Sequence, residues 1–271
     1  SDQDMPAIAA LKDGGFVISW GSWYQDGSKY GIFTRRYDAA GSAVTGDIQV
    51  NSFAENNQVR PSVTALAGGG YVVTWDSEDQ DGSSFGVYGR VFDADGAQIG
   101  SEIQINTFTK SIQWYNGVSA LNDGGFLVAW TSVDTEDYEN SQDGHYQGLF
   151  AQRFNANGET VGDEFLVNTD TQYTQRFRDI ISLDDGGFII VWEDYDGTPS
   201  PGDPTDITGQ RYDAAGETIG SEFRLNLSDY TGSQTWPAIT TLSNGGFVAV
   251  WQSDDSNAIR GQIFDAASNA V

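Results

Sequence analysis

The feature of the sequence that most constrains its fold is a short motif that recurs along the chain. Residues 13–20 read DGGFVISW, and similar stretches end at four later tryptophans. The five repeat tryptophans are Trp20, Trp75, Trp130, Trp192 and Trp251. Spacings of 55 to 62 residues between them indicate a repeat architecture, in which each repeat buries its faces against its neighbours. We divide the chain into repeats at residues 1–51, 52–106, 107–168, 169–226 and 227–271.

Each repeat reads as four short strands, A to D. In the first repeat these are PAIAAL, GFVISW, GIFTRRYD and DIQVN. Asp13-Gly14 suits a tight A-to-B hairpin, and segments such as YDAAG suit the C-to-D turn. Strand B is apolar at consecutive positions, as expected of a strand covered on both faces. The chain ends before a fifth strand D. The sequence therefore predicts an all-β fold with one domain over residues 1–271. We expect a five-bladed β-propeller of four-stranded antiparallel blades, one of them three-stranded, with an open β-repeat array as the alternative.

The composition excludes several classes of partner. Lys and Arg number 13 against 39 Asp and Glu, which gives a formal net charge of −26. A surface this acidic repels nucleic acid and anionic lipid, so we expect no nucleic-acid partner. No apolar run approaches the length of a membrane-spanning helix, so no membrane insertion is expected. The chain has no Cys and hence no disulfide or thiol chemistry.

Almost all length variation between repeats falls in the loop from strand B to strand C. Variable loops on a rigid scaffold are where binding residues concentrate, so the face that carries these loops is the expected functional surface. Aromatic residues outside the repeat pattern fall in segments on this face, and six of them are our candidate ligand-binding residues: Trp23, Tyr24, Tyr30, Trp114, Tyr115 and Trp236. They suit stacking against sugar rings, although aromatic residues at loop bases also simply pin a loop.

The same loops are rich in carboxylates. Asp194, Asp196, Asp203 and Asp206 lie in a glycine-containing loop and offer the oxygen ligands that Ca²⁺ prefers, so calcium is the candidate cofactor. No complete EF-hand pattern is present, and loop carboxylates of an acidic protein can also be merely solvated.

Two recurring residues have structural and functional interpretations. The repeat tryptophans could form a ligand cage, but their place in a buried strand favours packing between blades. A Gln recurs 17 residues before each of them: Gln3, Gln58, Gln113, Gln175 and Gln234. Five amides could surround a central ligand, or each could hydrogen-bond the neighbouring blade.

Signals for catalysis are weak in the sequence. The single His145 has no nucleophile pattern around it. Near the start of strand A, where a propeller glycosidase would need paired carboxyl groups, the chain offers only Asp4 and Asp179, beside Arg60, Asn116 and Arg178. The sequence alone therefore predicts a protein that is not an enzyme.

The repeat as a whole resembles a known module. Its consensus runs from the Gln through DGGFVVxW and DQDG to QRYDAxG and a final VN, most closely in Ser77–Asn106. This resembles a repeat of very large secreted bacterial surface proteins, which often carry RTX-type (hemolysin-type) calcium-binding regions. The resemblance implies an extracellular or cell-surface location, a calcium-rich medium and membership of a larger polypeptide.

Three functions follow, in order of preference. The first is a non-enzymatic recognition or adhesion module that binds a glycan or a cell-surface protein through the variable loops, with Ca²⁺ ordering those loops. The second is a purely structural segment of a large surface protein. The third is a polysaccharide-active enzyme on a propeller scaffold.

Overall fold

The computed structural model describes residues 2–134, 141–195, 205–226, 232–255 and 257–271. These residues form β-strands, turns and loops and contain no helix, so the all-β prediction is confirmed for the part of the chain described. Within that part, no helix could cross a membrane. The chain divides into two compact units. Unit 1 is Ser1–Trp130 with Ala151–Phe165, and unit 2 is Thr131–Phe150 with Leu166–Val271.

Unit 1 contains two complete antiparallel sheets, one for each of the first two repeats. The first has the order β1-β2-β3-β4 and the second β5-β6-β7-β8. Their strands are β1 (Gln3–Ala10), β2 (Phe16–Trp23), β3 (Tyr30–Tyr37), β4 (Ile48–Gln49), β5 (Gln58–Ala65), β6 (Tyr71–Glu78), β7 (Phe85–Phe92) and β8 (Gln98–Gln104). The third repeat comprises β9 (Ile112–Ala120), β10 (Phe126–Val133), β11 (Gln147–Phe154) and β12 (Thr160–Leu166). Of these, β9 lies in unit 1, and β10, β11 and β12 each have residues in both units.

Unit 2 contains the sheets of the fourth and fifth repeats. β13 to β16 pair in chain order, and a three-stranded sheet has the order β17-β18-β19. The strands are β13 (Thr174–Ser182), β14 (Phe188–Tyr195), β15 (Thr205–Tyr212), β16 (Thr218–Arg224), β17 (Gln234–Thr241), β18 (Phe247–Ser253) and β19 (Ala258–Phe264). The first four repeats thus form strands A, B, C and D in chain order, and the described residues of the fifth repeat form strands A, B and C.

The glycine pair of the recurring motif closes the A-to-B hairpin. Gly14 has a φ of +85°, a value that side chains with a Cβ rarely adopt. At Gly15 a Cβ would lie 2.3 Å from the carbonyl oxygen of Tyr37. Asp13 accepts a hydrogen bond from the Gly15 backbone N–H at 3.0 Å. The motif therefore recurs because the hairpin needs both glycines, while the residue before them is Asp in repeats 1, 3 and 4, Gly68 in repeat 2 and Asn244 in repeat 5.

Apolar side chains from neighbouring sheets form a core within each unit. In unit 1, Val17 and Ile32 of the first sheet pack with Val73 and Trp75 of the second. In unit 2, Ile189 and the strands beside it pack with the fifth repeat, including Trp251. Trp75, Trp130 and Trp192 are fully buried and Trp251 nearly so. The structure thus agrees with packing between repeats, rather than a ligand cage, as the role of these tryptophans.

The recurring Gln residues connect one repeat to the next. The side-chain oxygens of Gln58, Gln113 and Gln175 lie within hydrogen-bond distance of an Asn amide that ends the preceding repeat, at 3.2 to 3.4 Å. The partners are Asn51, Asn106 and Asn168. These Gln side chains are buried and their amides also donate to backbone carbonyls. They serve as structural hydrogen-bonding groups and are not exposed to a ligand.

Candidate functional site

Two clusters with the same plan stand out, one in each unit. In both, a carboxylate occupies the position directly after a repeat tryptophan, at the end of the buried run of strand B. This carboxylate pairs with an arginine from strand A of its own repeat and accepts a backbone N–H from an aromatic residue of the next repeat. We call them the Asp76 cluster (Arg60, Asp76, Tyr115 and their neighbours) and the Glu193 cluster (Arg178, Glu193, Trp236).

In the Asp76 cluster the carboxylate is completely buried. Asp76 accepts hydrogen bonds from Arg60 Nη1 at 3.1 Å, from the Tyr115 backbone N–H at 3.0 Å and from Asn116 Nδ2 at 2.7 Å. Burial nevertheless outweighs these stabilising contacts and raises the pKa of Asp76 to about 6. This carboxyl group therefore changes protonation state close to neutral pH.

Aromatic rings surround the arginine of this cluster. The guanidinium carbon of Arg60 lies 4.8 Å from the ring centroid of Tyr115, 5.4 Å from that of Trp114 and 6.0 Å from that of Phe85. These distances are within the range of cation–π attraction. The Arg60 side chain is 33% exposed, so this charged group of the cluster reaches solvent.

The Glu193 cluster is tighter and its ion pair is buried. Arg178 Nη2 lies 2.5 Å from Glu193 Oε2, and the two side chains are 7% and 1% exposed. Glu193 Oε1 accepts the backbone N–H of Trp236 at 2.7 Å, and the Tyr195 hydroxyl lies 3.4 Å from Oε2. The Arg178 guanidinium carbon lies 4.2 Å from the centroid of the Trp236 ring, while Trp236 itself is 64% exposed. An accessible indole is thus held over a buried charge pair.

The backbone contact in these clusters also has a structural role. In the third repeat the residue after the repeat tryptophan is Thr131, and its hydroxyl accepts the backbone N–H of Phe177 at 2.9 Å. The side chain at this position therefore accepts a backbone hydrogen bond from strand A of the following repeat, and a neutral side chain does so as well as a charged one. What distinguishes Asp76 and Glu193 is the added arginine and the aromatic residue beside it, which is partly exposed in the Asp76 cluster (Tyr115) and exposed in the Glu193 cluster (Trp236). Both aromatic residues, Tyr115 and Trp236, have positive φ values, near +54°. The residues at the same position of the first two repeats, Met5 and Arg60, have φ values of +51° as well, so this backbone conformation belongs to strand A of the repeat.

The structure separates the six predicted ligand-binding aromatics into three groups. Trp23 contacts Tyr24 and Tyr30, with ring centroids 5.0 and 4.8 Å apart. Trp114 and Tyr115 belong to the Asp76 cluster, with ring centroids 4.9 Å apart. Trp236 belongs to the Glu193 cluster. Their binding role stays a prediction.

The predicted calcium ligands are only partly described. Asp196 and Asp203 lie outside the described residues. Asp194 and Asp206 face each other in the pairing of β14 with β15. Asp194 lies near donors from Gln175 and Thr208, and burial raises its pKa, while Asp206 contacts Arg224 and Asn226. In the described part of the chain, no group of three or more acidic, His or Cys side chains could hold a metal ion. Calcium binding stays a prediction.

The other titratable candidates are His145, Asp4 and Asp179. None of them belongs to either cluster, and the two aspartates accept hydrogen bonds from backbone N–H groups. His145 is exposed in a loop, and its backbone N–H donates to Asp143. Asp4 is exposed on β1 and accepts the N–H of Met5. Asp179 accepts the backbone N–H groups of Ile180 and Ile239, and burial raises its pKa.

A cavity of about 400 Å³ also lies in unit 1, beside Trp20 and Tyr37. Its lining includes Asp4, Arg35 and Asp47, and Arg35 pairs with Asp47 at 2.8 Å. The equivalent tryptophan of each later repeat is buried in packing. We therefore interpret this cavity as part of a packing surface of the first repeat rather than as the functional site.

Sequence reasoning missed the carboxylates of both clusters and did not select their arginines. The available signal was the residue after each repeat tryptophan, which reads Gly21, Asp76, Thr131, Glu193 and Gln252. A charged residue that continues a fully apolar strand needs a partner, because burying an unpaired charge is costly. An arginine near the start of strand A of the same repeat supplies that partner.

Comparisons with known proteins bear on the fold. The sequence matches no protein-family model and no curated protein. A protein of unknown function from Dyadobacter fermentans aligns over 99% of this chain and 81% of its own, with 10% identity and a TM-score of 0.65. An ulvan lyase, a polysaccharide lyase, aligns over 98% of this chain and 68% of its own, with 10% identity and a TM-score of 0.62. A thermostable family-43 glycoside hydrolase aligns over 96% of this chain and 89% of its own, with 9% identity and a TM-score of 0.53.

These structural neighbours support the β-propeller class and correct the functional prediction. The sequence favoured a non-enzymatic recognition or adhesion module, and that prediction is wrong: the similar structures of named activity are a polysaccharide lyase and a glycoside hydrolase. The sequence analysis looked for paired carboxyl groups only near the start of strand A and did not consider Asp76 and Glu193, which follow an apolar run on strand B.

Proposed function

We propose that this chain is an enzyme that cleaves glycosidic bonds of a polysaccharide. The observation that carries the proposal is the Glu193 cluster, in which a 64% exposed indole is held in place over Arg178. Sugar rings present apolar C–H faces that stack on aromatic rings. Because the indole is already ordered by Glu193 and Arg178, binding a sugar costs little further ordering. The likeness to a polysaccharide lyase and a glycoside hydrolase supports a scaffold suited to such substrates.

We propose a neutral polysaccharide as the substrate. The chain carries a net charge of −26, which repels a polyanion at long range. Arg60 and Arg178 each already pair with a carboxylate, so neither offers an uncompensated charge to a uronate. Trp236, Trp114 and Tyr115 suit the faces of uncharged sugars, which leave this charge balance unchanged.

We propose hydrolysis as the reaction. The chain is rich in carboxyl groups, with 39 Asp and Glu, one His and no Cys. Glycoside hydrolysis uses a carboxylic acid of raised pKa as the proton donor and a second, ionised carboxylate. Asp76 has a pKa raised to about 6, but it is completely buried, and we therefore assign it the positioning of Arg60 and Tyr115 rather than proton donation.

We also propose that the five repeats are the blades of one β-propeller and that the enzyme acts outside the cell. In support of five blades, the strands of repeats 1, 2 and 4 pair in chain order as four strands and those of repeat 5 as three. A single bridge between β11 and β13 joins repeats 3 and 4 into one eight-stranded sheet. A polysaccharide is too large to cross a membrane freely, which supports an extracellular or cell-surface location. The repeat resemblance supports membership of a larger surface polypeptide.

The test is to incubate the protein with neutral polysaccharides such as arabinan and xylan, and with an acidic one such as ulvan, and to weigh the products by mass spectrometry. Hydrolysis adds one water per cleaved bond, whereas elimination adds none and creates a C=C bond that absorbs ultraviolet light. We expect water-added products from a neutral substrate. Elimination products from the acidic substrate alone would contradict the proposed substrate and reaction, and intact polymers throughout would contradict the enzymatic function.

A further inference from the structure

The loops from strand B to strand C in the first two repeats follow the same backbone plan. Residues 22–31 read SWYQDGSKYG and residues 77–86 read SEDQDGSSFG. Tyr24 and Asp79 occupy equivalent positions and have φ values of +60° and +63°. Their backbone N–H groups donate to the carbonyls of Lys29 and Ser84, which are also equivalent, at 2.6 and 2.5 Å. The two loops therefore differ in their side chains and not in the course of the backbone.

The first loop carries aromatic residues where the second carries carboxylates. Trp23 and Tyr24 stand where the second repeat has Glu78 and Asp79. The residue four positions after the repeat tryptophan is an aspartate in every repeat except the first: Asp79, Asp134, Asp196 and Asp255. Because the second repeat forms the same loop with two carboxylates, closing the loop does not require the aromatic side chains.

Contacts between rings hold Tyr24 in place at the surface. Trp23 and Tyr30 are cross-strand partners on β2 and β3, and their ring centroids lie 4.8 Å apart. The ring of Tyr24 lies at 79° to the indole of Trp23, with the centroids 5.0 Å apart, which is an edge-to-face contact. Tyr24 is nevertheless 61% exposed. The loop thus presents an ordered aromatic ring to solvent, so a ligand that stacks on it costs little further ordering.

The exposure of Tyr24 follows from its position in the loop. Asp79 at the equivalent position is exposed as well, although a connecting segment, residues 52–57, leads into strand A of its repeat. Asn56 of that segment donates to Asp79 Oδ2 at 3.1 Å. A segment that runs beside this position therefore leaves it open to solvent.

The charges around this ring favour an uncharged ligand. Lys29 Nζ, in the same loop, lies 3.3 Å from Glu78 Oε2 of the second repeat, so its charge is compensated. The net charge of −26 repels anions at long range. A ligand that suits this surface is uncharged and has an apolar face to stack on an aromatic ring, and a neutral sugar ring has both properties.

We propose that Tyr24, supported by Trp23 and Tyr30, is a second binding site for a neutral polysaccharide. Its residues belong to unit 1, whereas Trp236 belongs to unit 2. The substrate class rests on the proposed function. The role of this site is to hold the polymer by stacking and not to cleave it.

The test is native electrophoresis in gels that contain arabinan or xylan, with mobility measured relative to a gel without polymer. Tyr24→Asp places in the first loop the residue that the other four repeats have, and Asp tolerates a positive φ, so the thermal midpoint should not fall. We expect this variant to bind the polymer about tenfold more weakly or worse, because it loses the stacking ring.

Three further variants are the controls. Tyr24→Asn should lose the same affinity as Tyr24→Asp, which separates loss of the ring from the added charge. Tyr24→Phe keeps the ring and should bind like the wild type. Asp79→Asn changes the equivalent position of the second repeat and should also bind like the wild type.

The outcomes separate this site from the proposed enzymatic function. Cleavage of a polysaccharide together with unchanged binding by Tyr24→Asp and Tyr24→Asn would overturn the second site and leave the enzymatic function standing. Binding that depends on Tyr24, without cleavage of any polymer, would support the second site and contradict the enzymatic function. The same mobility with and without each polymer would overturn the second site.

Discussion

The indole of Trp236 lies over the guanidinium of Arg178, with the guanidinium carbon 4.2 Å from the ring centroid. Below this stack, Glu193 binds both partners at once, through the Arg178 side chain and the Trp236 backbone N–H. One buried carboxylate therefore fixes both members of the stack. An exposed aromatic ring that is fixed in this way is a surface prepared for a ligand.

Removing the side chain of Arg178 from this arrangement should lower the stability of the protein. Arg178→Met leaves Glu193 charged, buried and without its cation, and we expect the free energy of unfolding to fall by about 3 kcal/mol. Denaturant unfolding monitored by tryptophan fluorescence measures this change. The compensating variant is Arg178→Met with Glu193→Gln, because Gln still accepts the Trp236 N–H but carries no charge. The double variant should recover part of the loss, and a double variant less stable than the single one would contradict the account of the ion pair.

The pKa of Asp76 predicts a specific pH dependence of stability. Its folded-state pKa of about 6 lies above its ordinary value of 3.8, so the folded protein binds this proton more tightly than the unfolded chain. The associated stability is fully present below about pH 4 and is lost as the pH rises through about 6. Between about pH 7 and pH 5 the wild type should therefore gain about 1 kcal/mol relative to Asp76→Asn, which lacks this titration.

The measurement is denaturant unfolding of both proteins at each pH. Comparison with Asp76→Asn cancels the titration of the other carboxylates. A difference between the two proteins that stays constant from about pH 7 to about pH 5 would show that Asp76 has an ordinary pKa.

Much of the fold could be predicted from the sequence because its cues are local. The Asp-Gly-Gly hairpins, the apolar strand B and the Asp-to-Gly turns each depend on neighbouring residues, and Asp38 shows this by accepting the backbone N–H groups of Ala40 and Ser42 within its own turn. The three strand D segments of 7 residues in repeats 2 to 4 also fall where the repeat pattern places them.

The two clusters could not be predicted in the same way because their contacts join distant residues. Arg60 and Asp76 lie on paired strands of one repeat, whereas Tyr115 comes from the next. Only the packing of one repeat on another brings the three together. The aromatic residues were found because they break the repeat pattern, while the carboxylates were overlooked because they follow an apolar run. The recurring Gln was ambiguous for a related reason: its Asn partner belongs to the preceding repeat.

Calcium binding can be tested without knowing its site. Thermal unfolding is recorded with excess EGTA and then with added Ca²⁺, since a ligand that binds only the folded state must raise the midpoint. If the loop carboxylates bind Ca²⁺ as the sequence predicts, the midpoint rises with Ca²⁺ concentration, and Asp196→Asn with Asp203→Asn reduces the rise. Mg²⁺ at equal concentration controls for general screening of the negative charge. Equal thermal midpoints in EGTA and in Ca²⁺ would contradict the prediction that the folded protein binds Ca²⁺.

The most direct measurement compares kcat/KM for wild type and Trp236→Ala on a neutral polysaccharide. Loss of one stacking platform should lower kcat/KM about tenfold or more, which corresponds to a loss of about 1.4 kcal/mol of transition-state binding. Trp236→Phe should retain most of the activity, and Tyr173→Ala, at another exposed aromatic residue of unit 2, should match the wild type. All variants should keep the thermal midpoint of the wild type. Cleavage by the wild type with this loss in Trp236→Ala is the predicted result; no cleavage of any polysaccharide, or equal kcat/KM in Trp236→Ala, would contradict the account.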